Sequence, residues 1–228
     1  MILDALQGIK NQTYKDFYVV VVDDGSNFDV VKTVYDILDE QQPMVRVCVL
    51  PKMSMKNRIW NNRQGWYLNE IVQGTNTDFF IINSDDDVMH PEYVEKSRQY
   101  FIDNPEAMYA YGPCREFDRT KEETPNDDSQ LVTDFKTPVS AAGVIDICQI
   151  IFRTKPFQDK DKGIMFPEGK FWNLDEMVLR QLEKIYGECA YFPHMTMYKG
   201  MGGYTLTHAM HKSGKSPEEW IEDRERPC

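Results

Sequence analysis

Two apolar runs without polar alternation most constrain the fold of this chain. "FYVVVV" covers residues 17–22, and "FFII" covers residues 79–82. A strand with one solvated face alternates apolar and polar residues, and these runs do not, so both faces of each strand are expected to be buried. Burial on both faces is typical of a parallel sheet covered by helices. The two runs therefore predict an α/β fold.

The segments around these runs have the spacing of amphipathic helices. Apolar residues recur every three or four positions in "MILDALQGIKNQ", "FDVVKTVYDILDEQ", "NRQGWYLNEIVQ" and "PEYVEKSRQYFIDNP". Gly74 is expected to end the third helix and Pro91 to start the fourth. "VRVCVLP" predicts a further strand. Helices and strands thus alternate over the first hundred residues, which indicates an open sheet with crossover helices.

The second half of the chain is less regular. Strands are predicted in "MYAYGPCREF", "GVIDICQIIFR" and "CAYFPHMTMYK", and a helix in "NLDEMVLRQLEKIYG" with a stop at Gly187. The polar, charged and proline-bearing segment from Asp118 to Pro138 predicts a mobile surface loop.

Composition limits the class of protein. With 228 residues and 41% hydrophobic content, the chain can bury one sizeable core. A net charge of −11 argues against a nucleic-acid partner, which requires a basic face. The five scattered cysteines form no C-x-x-C pair and indicate free thiols. No transmembrane segment or signal segment is recognisable, so a cytoplasmic location is expected.

Clusters of aspartate follow both apolar runs. Asp23 and Asp24 come after the first run, and Asp85, Asp86 and Asp87 come after the second. Open α/β sheets bind ligands beyond the carboxyl ends of their strands. Two carboxylates about 5 Å apart repel by roughly 3 kcal/mol at an effective dielectric constant of about 20, so a site that keeps them ionised favours a cation.

The chemistry of these clusters suits a particular kind of cation. Oxygen ligands without a nearby cysteine favour Mg²⁺ or Mn²⁺, and such an ion can hold a nucleotide diphosphate. The alternative is structural, because aspartates after a strand also start turns and cap helices.

Two segments resemble a known family. "NQTYKDFYVVVVDDGS" looks like the opening helix and second strand of family-two glycosyltransferases, the inverting enzymes with the GT-A fold. "TDFFIINSDDDVMHPEYVEK" resembles their D-x-D segment, with the following proline and helix. The resemblance is strong from Asn11 to Lys96 and weaker to about Tyr204. It implies a Rossmann-like, mostly parallel central sheet flanked by helices, with an irregular acceptor-side half.

The resemblance also implies an activity. Such an enzyme moves a sugar from a nucleotide-diphosphate sugar, with a UDP-sugar as first expectation, to a saccharide or other hydroxyl acceptor, as in polysaccharide biosynthesis. It implies one domain over residues 1–228, with a nucleotide-binding half in residues 1–90. Residues 91–228 form the acceptor-side half and a C-terminal tail. Whether the protein forms a homo-oligomer stays open.

For the nucleotide, the family places an acid at the end of the "VVVVDDGS" strand against the base. That role falls to Asp23 or Asp24, with Gly25 and Ser26 in the same turn.

The D-x-D acids of the family bind the metal and the diphosphate. Alignment on Pro91 selects Ser84 and Asp86, whereas the literal spacing selects Asp85 and Asp87. All three acids therefore stay candidate metal ligands, and Asp85 and Asp86 are candidate diphosphate contacts as well.

The reaction also needs a base, because the acceptor hydroxyl loses a proton as it attacks the anomeric carbon. The family presents a carboxylate at a helix start in the region that resembles "FWNLDEMVLRQL". Asp175 is the first choice for this base and Glu176 the second. The alternative is a helix cap at Asp175, with Glu176 facing the positive end of the helix dipole.

Four basic residues complete the candidate site. The family often places a basic residue near the nucleotide in the region of Arg58 and Arg63, and it can supply a basic residue and a histidine to the diphosphate and metal in the region of Lys199 and His208. The alternatives are solvated helix arginines and an exposed histidine.

The chain departs from the family at its start. Family members begin with an apolar strand in the middle of the sheet, whereas Met1 here is already inside the first helix. Unpaired backbone and a gap in the core are therefore expected. A fragment or late start codon is the favoured explanation. A substitute segment or second copy that fills the gap, and an inactive relative, are the others.

Two other functions remain open at this stage. A phosphatase of the haloacid dehalogenase type also uses D-x-D after a strand, but after its first strand and with Thr or Val where this chain has Met89. The other alternative is a sugar-nucleotide-binding pseudoenzyme, or a subunit completed by a partner.

Overall fold

The computed structural model describes residues 1–38, 44–54, 57, 63–118, 121, 125, 130–161, 163–168, 174–201, 214 and 219. Its helices are α1 (Ile2–Lys10), α2 (Val30–Ile37), α3 (Arg63–Gly74), α4 (Tyr93–Asp103), α5 (Lys155–Gln158) and α6 (Leu174–Tyr186). Its strands are β1 (Tyr18–Asp23), β2 (Met44–Val49), β3 (Phe79–Ile81), β4 (Asp87–Met89), β5 (Tyr109–Tyr111), β6 (Cys114–Asp118), β7 (Gln130–Val132), β8 (Ile150–Arg153), β9 (Ala190–Tyr191) and β10 (Met197–Met201).

The first pair of strands is parallel, as the apolar runs predict. β1 pairs with β2 from Tyr18 opposite Met44 to Asp23 opposite Val49. Apolar residues of α1 and α2 pack together over these strands. The buried members are Leu6, Val30, Val34 and Leu38. α2 begins where the side chain of Asp29 accepts a hydrogen bond from the N–H of Lys32, a normal helix cap.

The largest core lies on the second sheet, whose strand order is β3-β8-β5-β9. β8 is antiparallel to both β3 and β5, and β9 is parallel to β5. α6 packs its apolar face on this core through residues such as Val178 and Leu182, both fully buried. The α/β class is therefore confirmed, with sheets of mixed direction.

A third sheet, of order β4-β10-β6-β7, lies beyond the acidic segment. β10 runs antiparallel to β4 and parallel to β6. This pairing sets Lys199 on β10 opposite Asp87 on β4, so residues far apart in sequence become neighbours at the site.

Three strand predictions need correction. "MYAYGPCREF" forms β5 and β6, which belong to different sheets and are separated by Gly112 and Pro113. "CAYFPHMTMYK" likewise divides into β9 and β10 around Pro193. Proline lacks the N–H that a sheet interior requires, which explains a break at both places. In "GVIDICQIIFR", a 3₁₀ turn at Ile147–Gln149 precedes β8.

The predicted surface loop from Asp118 to Pro138 is only partly described. Within it, Gln130–Val132 forms β7, which pairs with β6 as an antiparallel edge strand. Residues 119–120, 122–124 and 126–129 lie outside the described residues. In the part of the chain that the structure describes, no helix is long and apolar enough to cross a bilayer.

A cavity of about 660 Å³ lies between the first two sheets. Its lining includes residues of β1, β3, α1 and α3. Among the described strands, β1 pairs only with β2, and β3 pairs only with β8. This cavity agrees with the gap in the core that the sequence leads us to expect.

The contact of α3 with the segment before α6 gives a stability prediction. A Cβ on Gly65 would lie 2.0 Å from the carbonyl oxygen of Pro167, whereas a Cβ on Gly74 would meet nothing within 4 Å. Gly65→Ala is expected to lower the free energy of unfolding by about 2–3 kcal/mol, because backbone atoms must move apart. Urea denaturation measures the difference. Gly74→Ala on the same helix is the control and is expected to be neutral or slightly stabilising. Equal midpoints for the two variants would contradict this packing.

Candidate active site

The turn after β1 is tight and ordered by its own side chains. Asp23 is buried, and its Oδ1 accepts a hydrogen bond of 2.8 Å from the N–H of Ser26. Gly25 adopts a positive φ of 87°, and a Cβ there would lie 2.7 Å from Cα of Lys52. The turn therefore requires glycine. It holds Asp23 and Asp24 at the carboxyl end of β1.

Arg63 lies at this turn, at the first residue of α3. Its guanidinium forms an ion pair with the Oδ1 of Asp24, and its Nη1 donates a hydrogen bond of 2.8 Å to the carbonyl of Pro51. Both members of the pair are only partly exposed. The pair connects the end of β1, the segment after β2 and the start of α3, and it fixes the shape of the predicted nucleobase site.

The three successive acids between β3 and β4 differ in burial. Asp85 is exposed, Asp86 is half-buried, and Asp87 is 3% exposed. Ser84 donates a hydrogen bond from Oγ to Oδ1 of Asp86. The side-chain amide of Asn83 donates to the backbone carbonyls of Ser84 and Asp87, at 3.0 and 3.3 Å. This bonding orients Asp86 and Asp87 as neighbours at the start of β4.

One of these acids belongs to a charge cluster, which we define as Asp87, Asp146 and Lys199. Asp87 is buried, whereas the side chains of Asp146 and Lys199 are partly exposed. The ammonium of Lys199 forms an ion pair with Oδ2 of Asp146. Oδ1 of Asp146 accepts a hydrogen bond of 2.9 Å from the N–H of Cys148. Asp146 therefore holds the lysine beside Asp87 and also starts the 3₁₀ turn before β8.

The charge cluster changes the pKa of both carboxyl groups, in opposite directions. Burial, together with the charges of Asp86 and Asp146, raises the pKa of Asp87 to about 7, although Lys199 and the N–H of Gly200 oppose the rise. Burial also works against ionisation of Asp146, but the Lys199 ammonium and the hydrogen bonds from Cys148 hold the pKa of Asp146 below its usual value. At neutral pH Asp146 is therefore ionised, whereas Asp87 is close to its pKa and only part of the population carries the charge.

Of the two candidate bases, Asp175 lies near this cluster. Burial raises the pKa of Asp175, while backbone N–H groups at the start of α6 oppose the rise; Asp146 raises it further and Lys199 lowers it. Glu176 instead accepts hydrogen bonds of 2.9 and 2.7 Å from the guanidinium of Arg180, one turn along the exposed face of α6. The structure thus places Asp175 within electrostatic range of Asp146 and Lys199 and holds Glu176 on the helix surface.

Two predicted site residues, Arg58 and His208, lie outside the described residues. Asp146 was not predicted, because it precedes its strand, whereas the strand-end pattern selects acids that follow strands. Its one sequence signal is its position before the apolar run "ICQIIF", where an acid starts a turn.

The donors suit a hard divalent cation. Asp87 is a buried carboxylate beside two like charges, which is the arrangement that an added cation stabilises. Among the described residues, no three His, Cys, Asp or Glu side chains are arranged to hold an ion. Mg²⁺ is commonly held by one or two carboxylates together with substrate phosphates, and Asp86 and Asp87 are the described residues that could make this contribution.

The family assignment follows from the sequence as a whole. The sequence model of the family described as glycosyl transferase family 2 matches residues 1–199. The chain belongs to glycosyl transferase family 2. The acids after β1 and β3 are thus part of a family-two glycosyltransferase domain, and the assignment replaces the phosphatase alternative. No curated protein matches the chain significantly.

Solved structures share the fold of this family-two domain. S. aureus TarS superposes with a TM-score of 0.63 at 18% identity, covering 88% of this chain and 34% of TarS. S. aureus TarS 1–349 gives a TM-score of 0.62 at 19% identity, covering 87% of this chain and 56% of that one. The complex of TarS 1–349 with UDP gives 0.58 at 18% identity, with coverages of 88% and 56%. The chain thus spans about a third of TarS and just over half of TarS 1–349.

Proposed function

We propose that this chain is a divalent-metal-dependent glycosyltransferase that transfers a hexose-type sugar from a UDP-sugar to an acceptor hydroxyl with inversion. The observation that carries the proposal is the position of Asp86, Asp87 and the Lys199–Asp146 pair along β4 and β10, with Asp175 in electrostatic range of Asp146 and Lys199. Family membership supports sugar transfer, and the UDP complex of TarS 1–349 supports the choice of nucleotide.

Each group has a defined task in this proposal. The turn of Asp23 and Asp24, held by Arg63, receives the nucleobase. Asp86 and Asp87 would hold Mg²⁺ or Mn²⁺, which would neutralise charge on the departing diphosphate. Asp146 holds Lys199 in place through their ion pair. The positive charge of Lys199 reduces the electrostatic repulsion between Asp87 and an incoming anion.

Asp175 is assigned to the proton transfer. Inverting transfer is a single displacement, so the acceptor hydroxyl attacks the anomeric carbon as the carbon–oxygen bond to the diphosphate breaks. Asp175 accepts the hydroxyl proton at that point. Its partly buried position and raised pKa make it a stronger base than an exposed aspartate.

Release of UDP from a panel of UDP-sugars tests the function. The purified chain is expected to release UDP with Mn²⁺ or Mg²⁺, faster with a hydroxyl acceptor present, and not with a chelator. UDP binding in calorimetry without turnover of any donor would replace this proposal by the pseudoenzyme alternative. Release of phosphate from a simple phosphomonoester, with no UDP release, would contradict it.

A further inference from the structure

Three strands of the second sheet end at the same edge. β8 is antiparallel to both β3 and β5, and β9 is parallel to β5, so β3, β5 and β9 run in one direction. Ile81 and Ala110 both lie opposite Ile151, and Tyr111 lies opposite Tyr191. The ends of β5 and β9 are therefore level with the end of β3, which leads into the acidic segment. Two strand spacings, or about 10 Å, separate β3 from β5.

Aromatic side chains lie at this edge, at the ends of β5 and β9. The ring centroid of Tyr111 is 6.3 Å from that of Phe135 and 5.5 Å from that of Tyr191. We define these three residues as the aromatic cluster. Tyr111 is fully buried, Tyr191 is half-buried, and Phe135 is 48% exposed. Phe135 therefore has the largest exposed fraction of the three, and its ring is the one that a ligand can reach from solvent.

The segment that carries Phe135 has a strained backbone. Among the described residues other than glycine, positive φ angles occur at Thr133 and Lys136, with values of 56° and 60°. These two residues lie on either side of Phe135. Residues with a side chain adopt this left-handed region where surrounding contacts hold them in it, and such strain is concentrated at ligand-binding sites. The backbone around Phe135 is thus held in a conformation that it would not adopt alone.

Two hydrogen bonds from the aromatic cluster hold this segment at the sheet edge. Oη of Tyr191 donates a hydrogen bond of 2.7 Å to Oδ1 of Asp134. Oη of Tyr111 donates a hydrogen bond of 2.8 Å to the carbonyl of Thr137. The bonded residues come before and after Phe135, so the segment is fixed on both sides of the exposed ring.

A third hydrogen bond connects the segment to the charge cluster. The side-chain amide of Gln149 donates to Oγ1 of Thr133. Gln149 is the last residue of the 3₁₀ turn at Ile147–Gln149, and the side chain of Asp146 caps the start of that turn. Asp146 also forms the ion pair with Lys199. One turn therefore anchors both the charge cluster and the segment that presents Phe135.

We propose that Phe135 binds the acceptor by stacking on a sugar ring, and that the acceptor is a saccharide of more than one unit; this inference rests on the proposed sugar transfer. The apolar face of an aromatic ring packs against the C–H groups of a sugar ring. The reacting groups lie at the acidic segment, and β5 is about 10 Å from β3. A single sugar ring is shorter than this separation. The sugar that accepts the transfer and the sugar on Phe135 are therefore different units of one saccharide.

Saccharide length provides the test. The probes are cellohexaose and chitohexaose, each paired with its monosaccharide, glucose or N-acetylglucosamine. Calorimetry with the full chain, UDP and Mn²⁺ is expected to show that one hexasaccharide or both bind at least about tenfold tighter than the matching monosaccharide. Equal affinity of hexasaccharide and monosaccharide in both pairs, or no binding of either hexasaccharide, would overturn the proposal.

Three variants test whether Phe135 causes the length preference. Phe135→Ala is expected to lower hexasaccharide affinity about tenfold, whereas Phe135→Trp keeps an aromatic face and should stay within about threefold of the unaltered chain. The matched control is Tyr35→Ala, because Tyr35 is 51% exposed on α2. It is expected to change the affinity by less than about twofold. Equal effects of Phe135→Ala and Tyr35→Ala, or equal losses in both Phe135 variants, would contradict the role of Phe135.

This experiment separates the acceptor inference from the proposed function. UDP release from a UDP-sugar without acceptor reports on the donor reaction, whereas calorimetry of the saccharides requires no turnover. UDP release combined with no length preference would overturn the inference about Phe135 and leave the proposed transfer standing. No UDP release from any donor would overturn the proposed transfer and, with it, the assignment of the bound saccharide as an acceptor.

Discussion

Asp87→Asn is expected to abolish sugar transfer and, in the absence of metal, to make the protein more stable at pH 8. The Asp87 carboxyl is almost completely buried beside Asp86 and Asp146, and the pKa of Asp87 is raised to about 7. At pH 8 the folded protein therefore carries a poorly compensated buried charge. Asparagine has the same shape without the charge, so it removes both the repulsion and the ligand for a cation.

The stability effect of Asp87 has a defined pH dependence. Its folded pKa of about 7 lies above the model value of 3.8, so the folded state holds the proton more tightly than the unfolded state does. Stability from this group is complete below about pH 4, falls as the pH rises to about 7, and is constant above that. Urea denaturation at pH 5 and pH 8 should show a gain of about 2 kcal/mol for Asp87→Asn at pH 8, and a smaller gain at pH 5.

The neighbouring exposed acid provides the control for this stability measurement. Asp85→Asn is expected to change the free energy of unfolding by less than about 0.5 kcal/mol at either pH, because the side chain is exposed. Activity in Asp87→Asn, or lower stability than the unaltered protein at pH 8, would contradict the role of Asp87.

Asp175→Asn is expected to lower kcat by roughly 100- to 10,000-fold, the usual contribution of a general base. Asparagine keeps the size and the hydrogen-bonding capacity of the side chain but cannot accept the hydroxyl proton. Binding of the UDP-sugar should change little, because the proposed contacts with the donor are made by other residues. Initial rates with saturating donor, together with calorimetry of donor binding, separate these two quantities.

The adjacent residue gives a matched comparison for Asp175. Glu176→Gln is expected to keep kcat within about threefold, because Glu176 forms an ion pair with Arg180 on the exposed face of α6. Exposed ion pairs of this kind contribute little to the free energy of folding. The rate should rise with pH through a pKa above that of an ordinary aspartate, because the pKa of Asp175 is raised by burial. Full activity of Asp175→Asn with lower thermal stability would show that Asp175 only caps α6.

The elements that could be predicted from the sequence are those with a strong local pattern. The four-valine run gave β1, and helical spacing gave α1, α2 and α6 close to their observed bounds. The segment "MYAYGPCREF" was predicted as one strand because most of its residues favour a strand. Pro113 lacks the N–H that a continuous strand would need, and the segment divides there. Its two parts enter different sheets, which only tertiary pairing decides.

The candidate site shows the same division between local and tertiary information. Acids after β1 and β3 were found by the strand-end rule, which needs only the order of residues. Asp146 was missed because its neighbours Lys199 and Asp87 are 53 and 59 positions away, and are brought close by the pairing of β10 with β4. The different burial of Asp85, Asp86 and Asp87 likewise depends on the third sheet and has no local pattern.

A crystal structure of the chain with UDP and Mn²⁺ tests the central claim most directly. The manganese anomalous signal is expected at the acidic segment, within about 2.0–2.6 Å of a carboxylate oxygen of Asp86 or Asp87 and of diphosphate oxygens, with uracil at the turn of Asp23 and Asp24. A saturated crystal with no manganese at this segment, and with these carboxylates bonded only to backbone N–H groups and water, would contradict the account.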